Sequence, residues 1–218
     1  MPFIFTNREG GYSAPPFDSA NLGDHVGDDP ILVNRNREQL ESQIGMPIQF
    51  MNQVHGDTVV LVDEKVTTPT CDALITTSKQ LALAVMVADC IPLLLKSEIA
   101  VAAVHVGRRG LMNQVTRKTI AAMRDLGAEL IHAYIGPNIC GNCYEVSSEI
   151  FREVVDRYPS ADASHRSGKL TLDLVAGLKE DLKDTVLLDL SSCVLEDRHT
   201  FSYRRDGTTG RQAGVIWR

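Results

Sequence analysis

Between Leu81 and Gly110 the chain carries three apolar runs in quick succession, Leu81–Ala88, Pro92–Leu95 and Ile99–Val104. Each is short and bounded by polar, glycine or proline breaks, which predicts strands buried on both faces, with the rest of the chain arranged around them. The first run stops at Asp89-Cys90, and the last leads into His105-Val106-Gly107-Arg108-Arg109-Gly110. A thiol and an imidazole therefore leave the ends of neighbouring core strands, where a rigid frame can hold reactive groups.

On either side of this core the pattern alternates between strands and helices. Strands are expected at Phe3–Thr6, Ile48–Met51, Val59–Val62, Ala73–Thr76, Leu130–Ile135, Val186–Leu190, Phe201–Arg204 and Gly214–Trp217. A polar, glycine-rich connection follows the first of them, and loops of that length are more often functional than idle. Helices are expected over Asn34–Ile44, ended by Gly45; from Leu111 to Leu126, ended by Gly127; from Ser147 to about Tyr158; and over Leu170–Leu182. His55 falls at a turn between two extended segments. No repeat, low-complexity tract or linker divides the chain, so one domain over residues 1–218 is expected.

Composition narrows the function. With 218 residues, 44% of them apolar, there is enough chain for a substantial core. A formal net charge of -6 argues against a nucleic-acid surface, so an anionic substrate must be met locally. The apolar runs stop short of the roughly 18 residues a membrane span needs, and the N-terminus lacks a secretion pattern. A cytoplasmic protein is expected, and its five cysteines, an odd number, are expected to be reduced.

Three residues stand out as chemistry: His55, Cys90 and His105. They do not form a local zinc motif, but catalytic zinc takes three protein ligands, often from distant strand ends, and keeps a fourth position open. Two imidazoles and a thiolate suit it. Spacing alone leaves the alternative standing, in which Cys90 is inert core packing and the histidines are hydrogen-bonded structural residues. A second group, Gly107-Arg108-Arg109-Gly110 with Tyr203 to Arg211, is either an anion site built from arginines at a helix start or a pair of solvated turns. Cys140 and Cys143, spaced as Cys-x-x-Cys, have no second such pair and read as structural or incidental, as do Cys71 and Cys193. Of the remaining histidines, His25 in the glycine-rich arm is the one expected to approach a site.

Several motifs occur in order over nearly the whole chain. They are Asn21-Leu22-Gly23-Asp24-His25-Val26-Gly27, Gln53-Val54-His55, Asp72-Ala73-Leu74-Ile75-Thr76, Ala88-Asp89-Cys90, His105-x-Gly107-x-Arg109-Gly110, Ile135-Gly136-Pro137, Tyr144-Glu145-Val146 and Ser202-Tyr203-Arg204-Arg205-Asp206 with Thr209-Gly210-Arg211. Together they resemble the YfiH-like family, also called the polyphenol oxidase or laccase-domain family and now described as purine nucleoside phosphorylase. The resemblance implies a single-domain α/β fold with mixed β-sheets flanked by helices, and zinc held by His55, Cys90 and His105. It also implies phosphorolysis of adenosine, inosine and S-methyl-5′-thioadenosine, and deamination of adenosine. Two departures stand out. Arg108 occupies a place where the family usually has Trp, and the Cys140/Cys143 pair is not a family feature.

On this basis His55, Cys90 and His105 are the expected metal ligands and catalytic residues. Arg109, Tyr203 and Arg205 are expected to bind substrate, the arginines taking phosphate, while Asp89 or Glu145 orients ligands or moves a proton. The expected partners are a purine nucleoside and phosphate, with no nucleic acid and no membrane, and the expected state is a monomer. Copper is an alternative occupant of the same site, but six histidines cannot supply a laccase with the imidazole shells of several coppers. A cysteine hydrolase, with Cys90 as nucleophile and His105 or His55 as base, uses the same residues and stays open.

Overall fold

A computed structural model describes residues 2–218. The strands are β1 (Phe3–Phe5), β2 (Ile48–Gln49), β3 (Val59–Leu61), β4 (Ala73–Thr76), β5 (Ala82–Val87), β6 (Ile91–Lys96), β7 (Val101–Val106), β8 (His132–Ile135), β9 (Val186–Asp189) and β10 (Gln212–Ile216). The helices are α1 (Pro30–Ile44), α2 (Arg108–Met112), α3 (Val115–Asp125), α4 (Ser148–Arg157), α5 (Ser164–Ser167), α6 (Leu174–Asp181) and α7 (Tyr203–Asp206).

The strands form two mixed sheets, one ordered β1-β10-β5-β2 and the other β3-β4-β7-β6-β8-β9. Alternation along each strand splits the core into three apolar layers. Ala82, Ala84 and Met86 of β5 face α1 through Leu40. Leu83, Val85 and Val87, on its other face, meet Leu74, Leu94 and Ala103 of the larger sheet. The far face of that sheet, with Leu93, Leu95, Ala102 and Val104, is covered by Leu111, Ile120, Met123, Val154 and Leu178 from the helices. The result is helix, sheet, sheet, helix, so β5, β6 and β7 are buried on both sides, as their apolar runs predicted.

Local chemistry accounts for the places where the elements depart from the sequence pattern. The first helix begins at Pro30 rather than Asn34, because the Asp29 carboxylate accepts from the Ile31 N–H and proline is suited to the first helical position. It ends at Gly45, whose φ of 80° is the left-handed conformation glycine adopts freely. The helix expected after Gly110 is two helices, α2 and α3, broken at Gln114, where φ is 63°. The expected helix over Leu170–Leu182 starts late. Thr171 first bridges Glu145 in an extended pair, and Asp173 then caps α6.

Phe201–Arg204 is not a strand. The Ser202 side chain accepts from the Arg205 N–H, and the Asp89 carboxylate accepts from the Arg204 N–H, so the segment turns into α7 instead. No described helix is long and apolar enough to cross a membrane.

Candidate active site and metal centre

At Asp89-Cys90 the chain leaves one sheet through β5 and enters the other through β6. That crossing is sharp: Asp89 has a φ of 101°, which a side chain rarely adopts. The Asp89 carboxylate helps hold the turn, accepting from the Ser202 hydroxyl at 2.5 Å and the Arg204 N–H at 2.8 Å. Cys90 therefore projects where the two sheets part. On β7, pairing sets His105 opposite Pro92, on the face of the sheet that looks toward β5.

His55 arrives from a loop that is pinned at both ends. The Gln53 side-chain amide imitates a neighbouring strand, donating to the Met86 carbonyl and accepting from the Met86 N–H, both at 2.8 Å. Buried Asp72 takes the N–H groups of Val54, His55 and Gly56 at 3.2, 2.9 and 2.7 Å. His55 itself has a φ of 58°, a strained conformation of the kind that gathers at functional sites. The same Asp72 carboxylate lies 2.8 Å from His105 Nδ1, leaving Nε2 free for the site. One buried acid thus orients the His105 imidazole and anchors the backbone that carries His55, outer contacts of the kind that fix metal-ligating histidines.

The ligating atoms of His55, Cys90 and His105 lie within 4.8 Å of one another, with Cys90 Sγ 4.0 Å from His55 Nε2. Burial alone would raise the Cys90 thiol, but the His105 charge and hydrogen bonds from both histidines bring it down to about 6. Burial likewise opposes charge on His105, yet Cys90 and Asp72 push it up to about 9. The pair is a thiolate and an imidazolium near neutrality. Gly107 keeps the room open: a Cβ there would stand 2.9 Å from Cys90 Sγ and 3.2 Å from the His55 ring. Two nitrogens and a sulfur converging on space that a methyl would fill suit a borderline-soft ion such as zinc.

The cluster sits in a cavity of about 470 Å³, which His25, Tyr144, Tyr203, Arg109 and Arg211 also line. Arg109 is exposed and makes no ion pair among the described residues. Arg108 reaches the cavity but pairs with Glu153 at 3.0 Å. Burial holds the His25 imidazole below its usual range, helped by the neighbouring Arg211 charge.

Arg205 is elsewhere. Its guanidinium donates to the carbonyls of Val194, Asp197 and Thr200 at 2.8, 2.9 and 2.7 Å and pairs with Asp206, so it is consumed in bracing a loop rather than facing the cavity. Arg211, whose guanidinium leans on the carbonyls of Thr209 and Gly210, lines the cavity in its place. Glu145, offered as a proton carrier, is exposed and pairs with Lys169. The sequence motifs include Asp72, Gln53 and Gly107 but give none of them a part in the His55, Cys90 and His105 cluster. An acid immediately before a fully buried strand was the available signal for Asp72.

An open three-donor site with a buried carboxylate behind it and arginines at its rim has the donors to hold a metal ion beside an anionic ligand. Residues 2–218 match the model of the family described as multi-copper polyphenol oxidoreductase laccase, and the chain belongs to that family. It is 45% identical to a purine nucleoside phosphorylase of Corynebacterium glutamicum, over 98% of this chain and 93% of the relative. A purine nucleoside phosphorylase of Mycobacterium tuberculosis is 42% identical over 98% and 90% of the two chains. Among solved structures, Neisseria meningitidis protein NMB0706 superposes with a TM-score of 0.88 at 39% identity, covering 99% of this chain and 93% of its own. Bacillus licheniformis YfiH follows with a TM-score of 0.86 at 26% identity, covering 98% and 91%.

Proposed function

We propose that the chain is a zinc-dependent purine nucleoside phosphorylase, acting on adenosine, inosine and S-methyl-5′-thioadenosine and also deaminating adenosine, from one domain over residues 1–218. The observation that carries this reading is the open three-donor set of His55, Cys90 and His105 on the floor of a cavity with an unpaired arginine, Arg109, at its rim. The curated relatives bearing the phosphorylase name span almost all of the chain.

Bound zinc supplies Lewis acidity at a position that three protein ligands leave open. The remaining chemistry belongs to side chains. Arg109 and Arg211 hold phosphate through guanidinium forks. A phosphate oxygen forms a bond to the anomeric carbon, the bond from that carbon to the purine nitrogen breaks, and the electron pair leaves with the base, which takes up a proton. Tyr203, more than half exposed at the cavity edge, offers an aromatic face to the purine. Adenosine deamination needs water in place of phosphate and attack at the carbon bearing the amine, with ammonia released.

One observation favours a second reading. Cys90 is held as a thiolate by its hydrogen bond and charge interaction with His105, whose Nδ1 lies 2.8 Å from Asp72, the order of nucleophile, base and orienting carboxylate in cysteine hydrolases. A multi-copper laccase is not supported by the donor set, because the other ligand cluster among the described residues contains no histidine. Copper in the single His/Cys/His set remains chemically compatible.

Metal content and product analysis with adenosine, with and without phosphate, test the proposal. Free purine and ribose 1-phosphate formed only with phosphate, together with zinc lost in Cys90→Ala and His55→Ala, are the expected results. Stoichiometric zinc retained at this site in both variants overturns the ligand assignment. Metal-free protein that stays active until Cys90 is alkylated favours the hydrolase.

A further inference from the structure

A second group of metal-ligating side chains lies outside the cavity just described. Cys140, Cys143, Cys193 and Glu196 bring one ligand atom each within 4.8 Å of one another, and all of these cysteines are free thiols. They come from two turns of the same design. In Cys140-Gly141-Asn142-Cys143 the Cys143 and Tyr144 N–H groups donate to the Cys140 carbonyl, at 3.0 and 3.1 Å. In Cys193-Val194-Leu195-Glu196 the Glu196 and Asp197 N–H groups donate to the Cys193 carbonyl, at 3.2 and 3.0 Å. A parallel bridge between Asn138 and Cys193 faces the two turns toward each other.

We propose that Cys140, Cys143, Cys193 and Glu196 form a structural zinc site that clips these two turns together. A tetrahedral zinc with bonds of about 2.3 Å to sulfur and 2.1 Å to oxygen needs sulfur–oxygen edges of about 3.6 Å and sulfur–sulfur edges of about 3.8 Å. Cys143 Sγ and Glu196 Oε1 are 3.4 Å apart, and no ligand pair exceeds the 4.8 Å limit, so small side-chain shifts close the shell. Gly141 is required where it stands, because a Cβ would come within 2.7 Å of Asp173 Cβ and 3.1 Å of its Cα. Cys140 and Cys193 line a cavity of about 360 Å³ that offers the ion a way in. Binding releases the three thiol protons to solvent.

Four protein ligands leave no open position, so the site is structural rather than catalytic. Its place in the fold gives it a task. The Val194 and Asp197 carbonyls, in and beside the second turn, hold Arg205 and so brace the segment carrying Tyr203. The inference does not depend on the phosphorylase reading, since it involves no cavity residue of that site.

The test measures metal on the full-length, reduced chain expressed with zinc. Two zinc ions per wild-type chain are expected, and one in Cys193→Ala, with His55→Ala also at one through the other site. Cobalt loading of Cys90→Ala keeps the readout independent of that first cluster and of how well Cys193→Ala folds. A strong thiolate-to-cobalt absorption is expected there, with Glu196→Gln added to it weakening cobalt affinity at least about tenfold. No thiolate absorption in cobalt-loaded Cys90→Ala, zinc content unchanged in Cys193→Ala, or a disulfide among these cysteines in the zinc-grown chain overturns the proposal.

Discussion

The two ligand clusters are built from opposite materials. His55, Cys90 and His105 sit at the ends of buried strands and on a loop pinned by Asp72 and Gln53, where the His105 ring and the His55 backbone are held from behind before any ion arrives. Cys140, Cys143, Cys193 and Glu196 sit on two turns, each closed by its own backbone hydrogen bonds, with the three cysteines half-buried and Glu196 exposed. The first set has three donors and faces a cavity with cationic side chains; the second has four donors and no histidine. A rigid frame with an unfilled valence serves chemistry, whereas a filled shell on soft turns gains rigidity from the ion itself.

The largest effects that separate them come from the crowded floor of the first cluster. Gly107→Ala is expected to push a methyl into Cys90 Sγ and the His55 ring, cutting activity more than about 100-fold, beyond the range for displaced outer partners. Turnover and zinc content measured together check it; full activity with zinc retained would show that the cluster tolerates the extra carbon.

Next in size is Asp72→Asn, which keeps the shape but removes the charge behind the His105 imidazole and beneath the His55 backbone. Metal affinity at the first cluster is expected to fall about 10–100-fold while the thiolate–cobalt signal of the second is unchanged. Competition with a chelator reads the difference, and an equal loss at both clusters would erase the contrast between them.

Arginine substitutions carry the comparison to the rim. Arg109→Ala is expected to raise the KM for phosphate about tenfold with the melting temperature unmoved. Arg205→Ala should do the reverse, lowering stability by about 1–3 kcal/mol through carbonyls left unpaired, with a smaller change in KM. Steady-state kinetics beside thermal melts separate the two.

The smallest effect is a pH dependence, read on metal-stripped protein. Cys90, depressed to about 6, is a thiolate above that pH and a thiol below it, so alkylation at Cys90 is expected to rise with a midpoint near 6. Its contribution to stability is lost as pH falls through about 6. His105, raised to about 9, contributes at low pH, and that contribution is lost as pH rises through about 9. The metal-free chain is therefore expected to be most stable between these values. Monotonic melting temperatures across the range would mean that the thiolate–imidazolium pair does not form.

Much of the frame was readable from residue order. Apolar runs bounded by breaks located β5, β6 and β7, and Ser147 and Gly45 marked helix ends as capping chemistry requires. Phe201–Arg204 was misread as a strand because its turn is imposed by Asp89, which lies far away in the chain. The arginine exchange has the same origin. Nothing in Tyr203–Arg211 distinguishes a guanidinium that must satisfy the Val194, Asp197 and Thr200 carbonyls from one that lines a cavity.

The chain by itself determined that a thiol and an imidazole stand at the ends of core strands, because periodic burial is a local property that the backbone must obey. It also determined, through Gln53-Val54-His55, that a second imidazole lies on a turn. Only the tertiary structure decided that one carboxylate, Asp72, serves both histidines, and that Cys193 and Glu196 meet the Cys140-x-x-Cys143 turn. Those pairings join residues distant in sequence through sheet order and loop closure, and neither is encoded in any local spacing.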